Sequence, residues 1–143
     1  MKTVEQALKG KAGTVLSVQP DASVLDALKT MALKDVGALV VLDAEGALAG
    51  IFSERDYARK VILFGKASKD TKVREVMTER VVCVRPDNTI DDCMSLMTDK
   101  RIRHLPVLDQ GRVVGVISIG DAVKEKIAEQ QFMIQQLEQY IAS

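Results

Sequence analysis

An excess of charge of either sign is missing from this chain. Its 20 Lys and Arg are balanced by 20 Asp and Glu, so it has no electrostatic footprint for nucleic acid or an anionic membrane surface. Histidine is nearly missing too. His104 is the one copy, which excludes a histidine-rich metal site and restricts any nucleophile–histidine arrangement to what one imidazole permits. The two cysteines, Cys83 and Cys93, do not form a Cys-x-x-Cys pair, and Cys93 falls on the apolar face of an expected helix, where it reads as a buried thiol. No apolar run approaches the ~20 residues that span a bilayer. The opening Met1-Lys2-Thr3-Val4-Glu5-Gln6 is too polar for a secretory signal. These absences predict a cytoplasmic protein without nucleic-acid or membrane partners. There is also no Gly-rich Walker loop and no His-Glu-x-x-His, so no enzyme class is indicated.

What is present is a repeat. At a shift of 66, Val15-Leu16-Ser17-Val18-Gln19-Pro20-Asp21 lies over Val81-Val82-Cys83-Val84-Arg85-Pro86-Asp87. The register continues through Asp26 and Asp92, Met31 and Met97, and Lys34 and Lys100. One residue is lost in a turn, after which Gly46, Gly50, Ser53 and Asp56 meet Gly111, Gly115, Ser118 and Asp121. Matched positions are mostly apolar or turn residues, the pattern of two copies of one folded unit.

Each copy predicts the same order of elements. Thr3 caps a short helix over residues 3–10. Residues 15–18 form a strand, and Ser23 caps a helix to about Lys34 with the stripe Val24, Ala27, Leu28, Met31. The run 37–42 is too short for a helix and reads as a buried strand. A hairpin turn at Asp43-Ala44-Glu45-Gly46 leads to a returning strand, and a helix over 54–64 ends at Gly65. Polar residues 66–70 read as a loop, and Thr71 is placed as the cap of a short helix over 73–77. The second copy predicts a strand at 81–84, a helix at 89–100, strands at 104–108 and 112–118, and a long helix to about Ala142. That helix carries the apolar stripe Val123, Ile127, Ile134, Leu137 and Ile141, which either docks on its own domain or meets a second subunit.

The last junction of each copy, Gly50-Ile51-Phe52-Ser53-Glu54-Arg55-Asp56 and Gly115-Val116-Ile117-Ser118-Ile119-Gly120-Asp121, runs from a strand into a helix. The Ser sits where free N–H groups and the helix dipole favour an anion. The Asp, one turn on, could accept from a ribose diol. Either Ser also reads as a plain N-cap.

With Arg103-His104-Leu105-Pro106-Val107 on the second middle strand, the whole resembles a tandem pair of cystathionine-β-synthase-type (CBS) domains, a Bateman module, over about residues 8–128. The resemblance implies an α/β (α+β) fold of two β-α-β-β-α repeats about a pseudo-two-fold axis. Repeat 1 would span 8–65, a linker 66–77, repeat 2 78–128 and a C-terminal helix extension 129–143. It implies a non-enzymatic regulatory module with clefts between the repeats for adenosine derivatives: AMP, ADP, ATP, NAD or S-adenosylmethionine. One cleft would use Ser118 and Asp121 with Leu16, Val36, Gly37 and Ala38 about the base. The other would use Ser53 and Asp56 with Val82, Ile102 and Arg103. Arg103 and His104 match family positions that contact phosphate, whereas the first repeat has Gly37-Ala38 there, so one tight and one weak site are expected. A homodimer of such pairs and a regulated partner protein are implied as well. The alternative is a ligand-independent dimeric scaffold acting through its terminal helix.

Overall fold

The computed structural model describes residues 1–11 and 15–142. Residues 12–14 of the expected first repeat, and Ser143 at the end of the expected extension, lie outside the described residues. In chain order the elements are α1 (Val4–Lys9), β1 (Ser17–Val18), α2 (Val24–Lys34), β2 (Ala38–Leu42), β3 (Leu48–Ser53), α3 (Glu54–Tyr57), α4 (Val73–Val76), α5 (Ile90–Lys100), β4 (His104–Asp109), β5 (Arg112–Ser118) and α6 (Ile119–Ala142). A π-helical turn, Ala58–Ile62, continues α3. The fold is α+β. The chain divides into two compact units, one of Thr14–Val82 with Gln110–Val113, the other of Met1–Gly13, Cys83–Asp109 and Val114–Ser143.

In the unit built on the first repeat, β1 pairs parallel with β2, and β2 antiparallel with β3. Apolar residues at alternate strand positions and at three- and four-residue spacing on α2 meet in one core: Val24, Ala27, Met31, Leu39, Val41, Phe52, Val61, Val73 and Val76. Ser23 caps α2 by accepting from Asp26 N–H at 3.0 Å. The helix stops where Asp35 turns left-handed at φ 54°. Residues 54–64 are not one regular helix. After Tyr57 the turn widens, closed by Leu63 N–H to the Ala58 carbonyl at 3.3 Å, with Val61 buried. Gly65 then ends it at φ +67°.

The same positions are buried in the other unit: Ile90, Cys93, Met97, Leu105, Val107 and Ile117. Burial, then the Asp92 charge, pushes the Cys93 thiol up to about 11, so it stays protonated near neutral pH. The expected strand at 81–84 shrinks to a single parallel bridge, Val84 to Val107. Pro106 is the reason. In the first repeat Ser17 pairs with Val40 and Val18 with Val41. The pair equivalent to Ser17–Val40 needs a donor N–H at residue 106, and proline has none.

Each unit includes a short helix from the stretch of chain preceding the other repeat. α4 lies with the first repeat: Val73 N–H donates to the Ala22 carbonyl and Arg74 N–H to that of Pro20, both at 2.9 Å. α1 lies with the second: Val4 N–H donates to the Asn88 carbonyl at 2.8 Å and Glu5 N–H to that of Pro86 at 3.0 Å. The donors correspond at a shift of 69 and their acceptors at 66, with Val4 and Ala7 buried as Val73 and Val76 are. Lys72, not Thr71, stands at the N-cap of α4, its N–H held by the Glu75 carboxylate at 2.7 Å. The Thr71 hydroxyl is instead committed to the Ala67 carbonyl at 2.8 Å.

Candidate functional site

Strand β3 delivers Ser53 and strand β5 delivers Ser118 to the start of a helix, and both serines are N-caps. Ser53 Oγ accepts from Asp56 N–H at 3.2 Å, and Ser118 Oγ from Asp121 N–H at 3.1 Å. Each Asp returns the bond, its Oδ2 accepting from the Ser53 N–H at 3.0 Å and the Ser118 N–H at 2.9 Å. The three-residue spacing of hydroxyl and carboxylate is thus first a reciprocal capping box.

The opening of the middle strand joins each box. Glu54 N–H donates to the Gly37 carbonyl at 3.0 Å, and Ile119 N–H to the Arg103 carbonyl at 2.8 Å. Within its own unit each box therefore lies beside its own repeat's strand opening. Gly37 and Ala38 accompany Ser53 and Asp56, with Ala38 paired to Ser53 across the sheet. Ile102, Arg103 and His104 accompany Ser118 and Asp121. Arg103 is exposed and His104 half-buried. Leu16 and Val36 are partly buried against the first unit's core, and Val82 is half-buried.

Beyond the box the two carboxylates differ. Asp56 is buried, at 7% exposure, and both its oxygens are taken. Oδ2 also accepts from the Ser53 hydroxyl at 3.0 Å. Oδ1 accepts from the Thr78 hydroxyl at 2.9 Å and pairs with Lys60 at 3.1 Å. Asp121 is half-buried and bonded through Oδ2 alone: besides the Ser118 N–H, that oxygen takes the Lys11 ammonium at 2.7 Å. Its Oδ1 accepts no hydrogen bond among the described residues, and the Ser118 hydroxyl also lies against the carboxylate. Burial pushes the Asp121 carboxyl up, but the Lys11 bond, the Ser118 N–H, the Lys11 charge and the Ser118 hydroxyl outweigh it and hold the group below the usual carboxylate range.

Lys11 and Thr78 are the residues that motif reading misses. Each follows one of the exchanged short helices. The signal available was the weak echo of Thr3-Val4 and Ala7-Leu8 in Lys72-Val73 and Val76-Met77. The same exchange explains the motif glycines. A Cβ on Gly50 would lie 2.7 Å from the Thr78 carbonyl oxygen and 2.8 Å from Met77 Sδ, and one on Gly115 would lie 2.6 Å from Leu8 Cδ2. Each glycine lets the borrowed segment lie directly on the strand. Among the described residues there is no group of three or more His, Cys, Asp or Glu able to hold a metal ion, and no helix long and apolar enough to cross a membrane.

The CBS-domain family model matches residues 13–62 and 73–127. The chain is 42% identical over 147 residues to the CBS domain-containing protein CBSX3, mitochondrial, of Arabidopsis thaliana, covering 97% of this chain and 71% of that protein. A solved protein with CBS domains from Burkholderia ambifaria MC40-6 is 52% identical with a TM-score of 0.86, over 90% of this chain and 96% of that one. The CBS pair of protein MJ0100, solved with 5'-methylthioadenosine and S-adenosyl-L-methionine, shares the fold at 23% identity and a TM-score of 0.80. The match covers 90% of this chain and 98% of that one.

Proposed function

Because the chain belongs to the CBS-domain family, with two domains in tandem, we propose that this regulatory module is non-enzymatic, binds an adenosine-containing nucleotide (AMP, ADP, ATP or NAD) and passes the event to a partner protein. The second repeat is the main site. The observation that carries the reading is the state of its box: Asp121 is charged, with Oδ1 open to a ribose hydroxyl, at the N-terminus of the 24-residue α6, whose free N–H groups suit a phosphate. Arg103 and His104 open the middle strand beside this box, where Ile119 N–H meets the Arg103 carbonyl, and a guanidinium there would suit a phosphate. The first repeat is the weaker site, since its Asp56 has no oxygen to offer. The buried Cys93 thiol suits a reducing compartment such as the cytoplasm.

Calorimetry and thermal shift with AMP, ADP, ATP and NAD test this. A ligand bound to the native state raises the melting temperature. Asp121→Ala is expected to weaken the bound nucleotide about 10- to 100-fold, the range for losing a charged hydrogen-bond acceptor. No shift with any of the four would overturn the reading.

A second reading, a dimeric scaffold that needs no ligand, is favoured by the end of α6. Phe132, Met133, Ile134, Leu137, Tyr140 and Ile141 are each more than half exposed. Ile127, Ile134 and Ile141 recur every seven residues, with Leu137 between, and after Lys126 the helix carries only Glu129 and Glu138 as charges. A neutral heptad stripe is self-complementary, so its occupant is a second copy of this chain. Ile134→Glu with Leu137→Glu is expected to give monomers in sedimentation; an unchanged dimer would remove this helix from the interface.

A further inference from the structure

Building on the nucleotide reading, we propose that Lys11 makes the second-repeat site select phosphorylated nucleosides over the bare nucleoside. Lys11 lies two residues beyond α1 and 110 residues from Asp121 in sequence, yet its ammonium bridges Asp121 Oδ2 at 2.7 Å and the Val116 carbonyl at 2.8 Å. α1 is held in place for this by its backbone bonds to Pro86 and Asn88, by Leu8 against Gly115 and by the Lys2–Glu125 ion pair at 2.7 Å.

Three consequences follow from the chemistry of that bridge. An ammonium has three donors; among the described residues two are used, and the third is assigned to a ligand oxygen. The Lys11 side chain is 45% exposed and reaches solvent. The bridge also turns Asp121 so that Oδ1 is the oxygen left open. Most importantly, it neutralises the carboxylate. A ribose-binding Asp lies one sugar ring from any 5'-phosphate, and an uncompensated carboxylate at that distance repels it. Lys11 cancels the repulsion, so its removal penalises an anionic ligand and spares a neutral one.

The first repeat shows the contrast. The cation of Asp56 is Lys60, one turn along the same helical segment, and Thr78 takes the rest of Oδ1. That cation completes a closed cluster, whereas Lys11 leaves half of its carboxylate open.

The test is the affinity of AMP and of adenosine for the wild-type chain, Lys11→Met and Lys11→Arg, by calorimetry. In Lys11→Met, AMP is expected to weaken about tenfold, adenosine by no more than about twofold, and Lys11→Arg to restore most of the difference. Equal losses for both ligands would reduce Lys11 to a positioning residue for Asp121, and tighter AMP binding would make it a plug; either overturns the proposal. If the wild type binds both ligands and Lys11→Met leaves their ratio unchanged, selection by Lys11 fails while nucleotide binding stands. If the wild type binds neither, the nucleotide reading fails and takes this proposal with it. Should Lys11→Met disturb the seating of α1, Lys11→Gln, which keeps an N–H donor on a shorter side chain and loses the charge, gives the same ratio as its readout.

Discussion

Asp56→Ala is expected to destabilise the protein by about 2–4 kcal/mol, in the range for breaking a buried charged cluster, while Asp121→Ala costs about 1 kcal/mol or less, as a partly exposed cap does. The two aspartates occupy the same place in their repeats, and the difference comes from what surrounds them. Removing the Asp56 carboxylate leaves the Thr78 hydroxyl without its acceptor at 2.9 Å and the Ser53 hydroxyl and N–H without theirs at 3.0 Å, all partly buried. Lys60, 42% exposed, returns to water at small cost. Removing the Asp121 carboxylate releases an exposed ammonium and one N–H. Urea unfolding of both variants beside wild type checks this. A cost for Asp121→Ala equal to that for Asp56→Ala would contradict the division into a structural and a functional carboxylate. Acid works in the same direction. The Asp121 carboxyl sits below its usual range when folded, so its contribution is present above the unfolded-state value and fades as pH falls through the lower, folded one. That window lies below about pH 4.

Gly50→Ala is the second large effect, expected at about 2–3 kcal/mol and about 10 °C in melting temperature. The added methyl meets the Thr78 carbonyl oxygen, which is itself held by Ile51 N–H at 2.9 Å, with Thr78 N–H returning the bond to the Ile51 carbonyl at 2.9 Å. Backbone on both sides must shift, and the Thr78–Asp56 bond moves with it. Gly115→Ala is expected to cost less than half as much, because the methyl meets the end of the Leu8 side chain, which rotates, rather than a carbonyl. Differential scanning calorimetry of the pair decides the matter; Gly115→Ala as costly as Gly50→Ala would mean that Leu8 has no room to turn.

Much of this architecture was legible because it is periodic. The three- and four-residue stripe of α2, the short apolar run of β2 and the register of 66 are local or repeated signals, and the structure keeps them as Val24, Ala27, Met31, Leu39 and Val41 in one core. The Ser-x-x-Asp spacing was legible too, but spacing cannot tell a capping box that closes from one left half open. That distinction rests on Thr78 and Lys11, which reach the motif from distant chain. Lys11 is one of several lysines in the first dozen residues, and nothing periodic marks it. The strand expected at 81–84 failed for the opposite reason: its own residues are apolar, but the ladder depended on an N–H that Pro106 lacks. The two short helices were legible singly, but their exchange was not, because four to six residues of weak similarity are too short to register as a repeat.

The exchange of α1 sets an order of events at the ribosome. Residues 2–11 are made before their partners, which lie from Pro86 to Asp121. The first repeat meets α4 within its own stretch of chain and can close early. α1 must remain unsatisfied, its apolar Val4 and Ala7 exposed, until over a hundred residues have followed it. α1 thus waits for its partners longer than α4 does, and its arrival completes the carboxylate on which nucleotide recognition is proposed to rest.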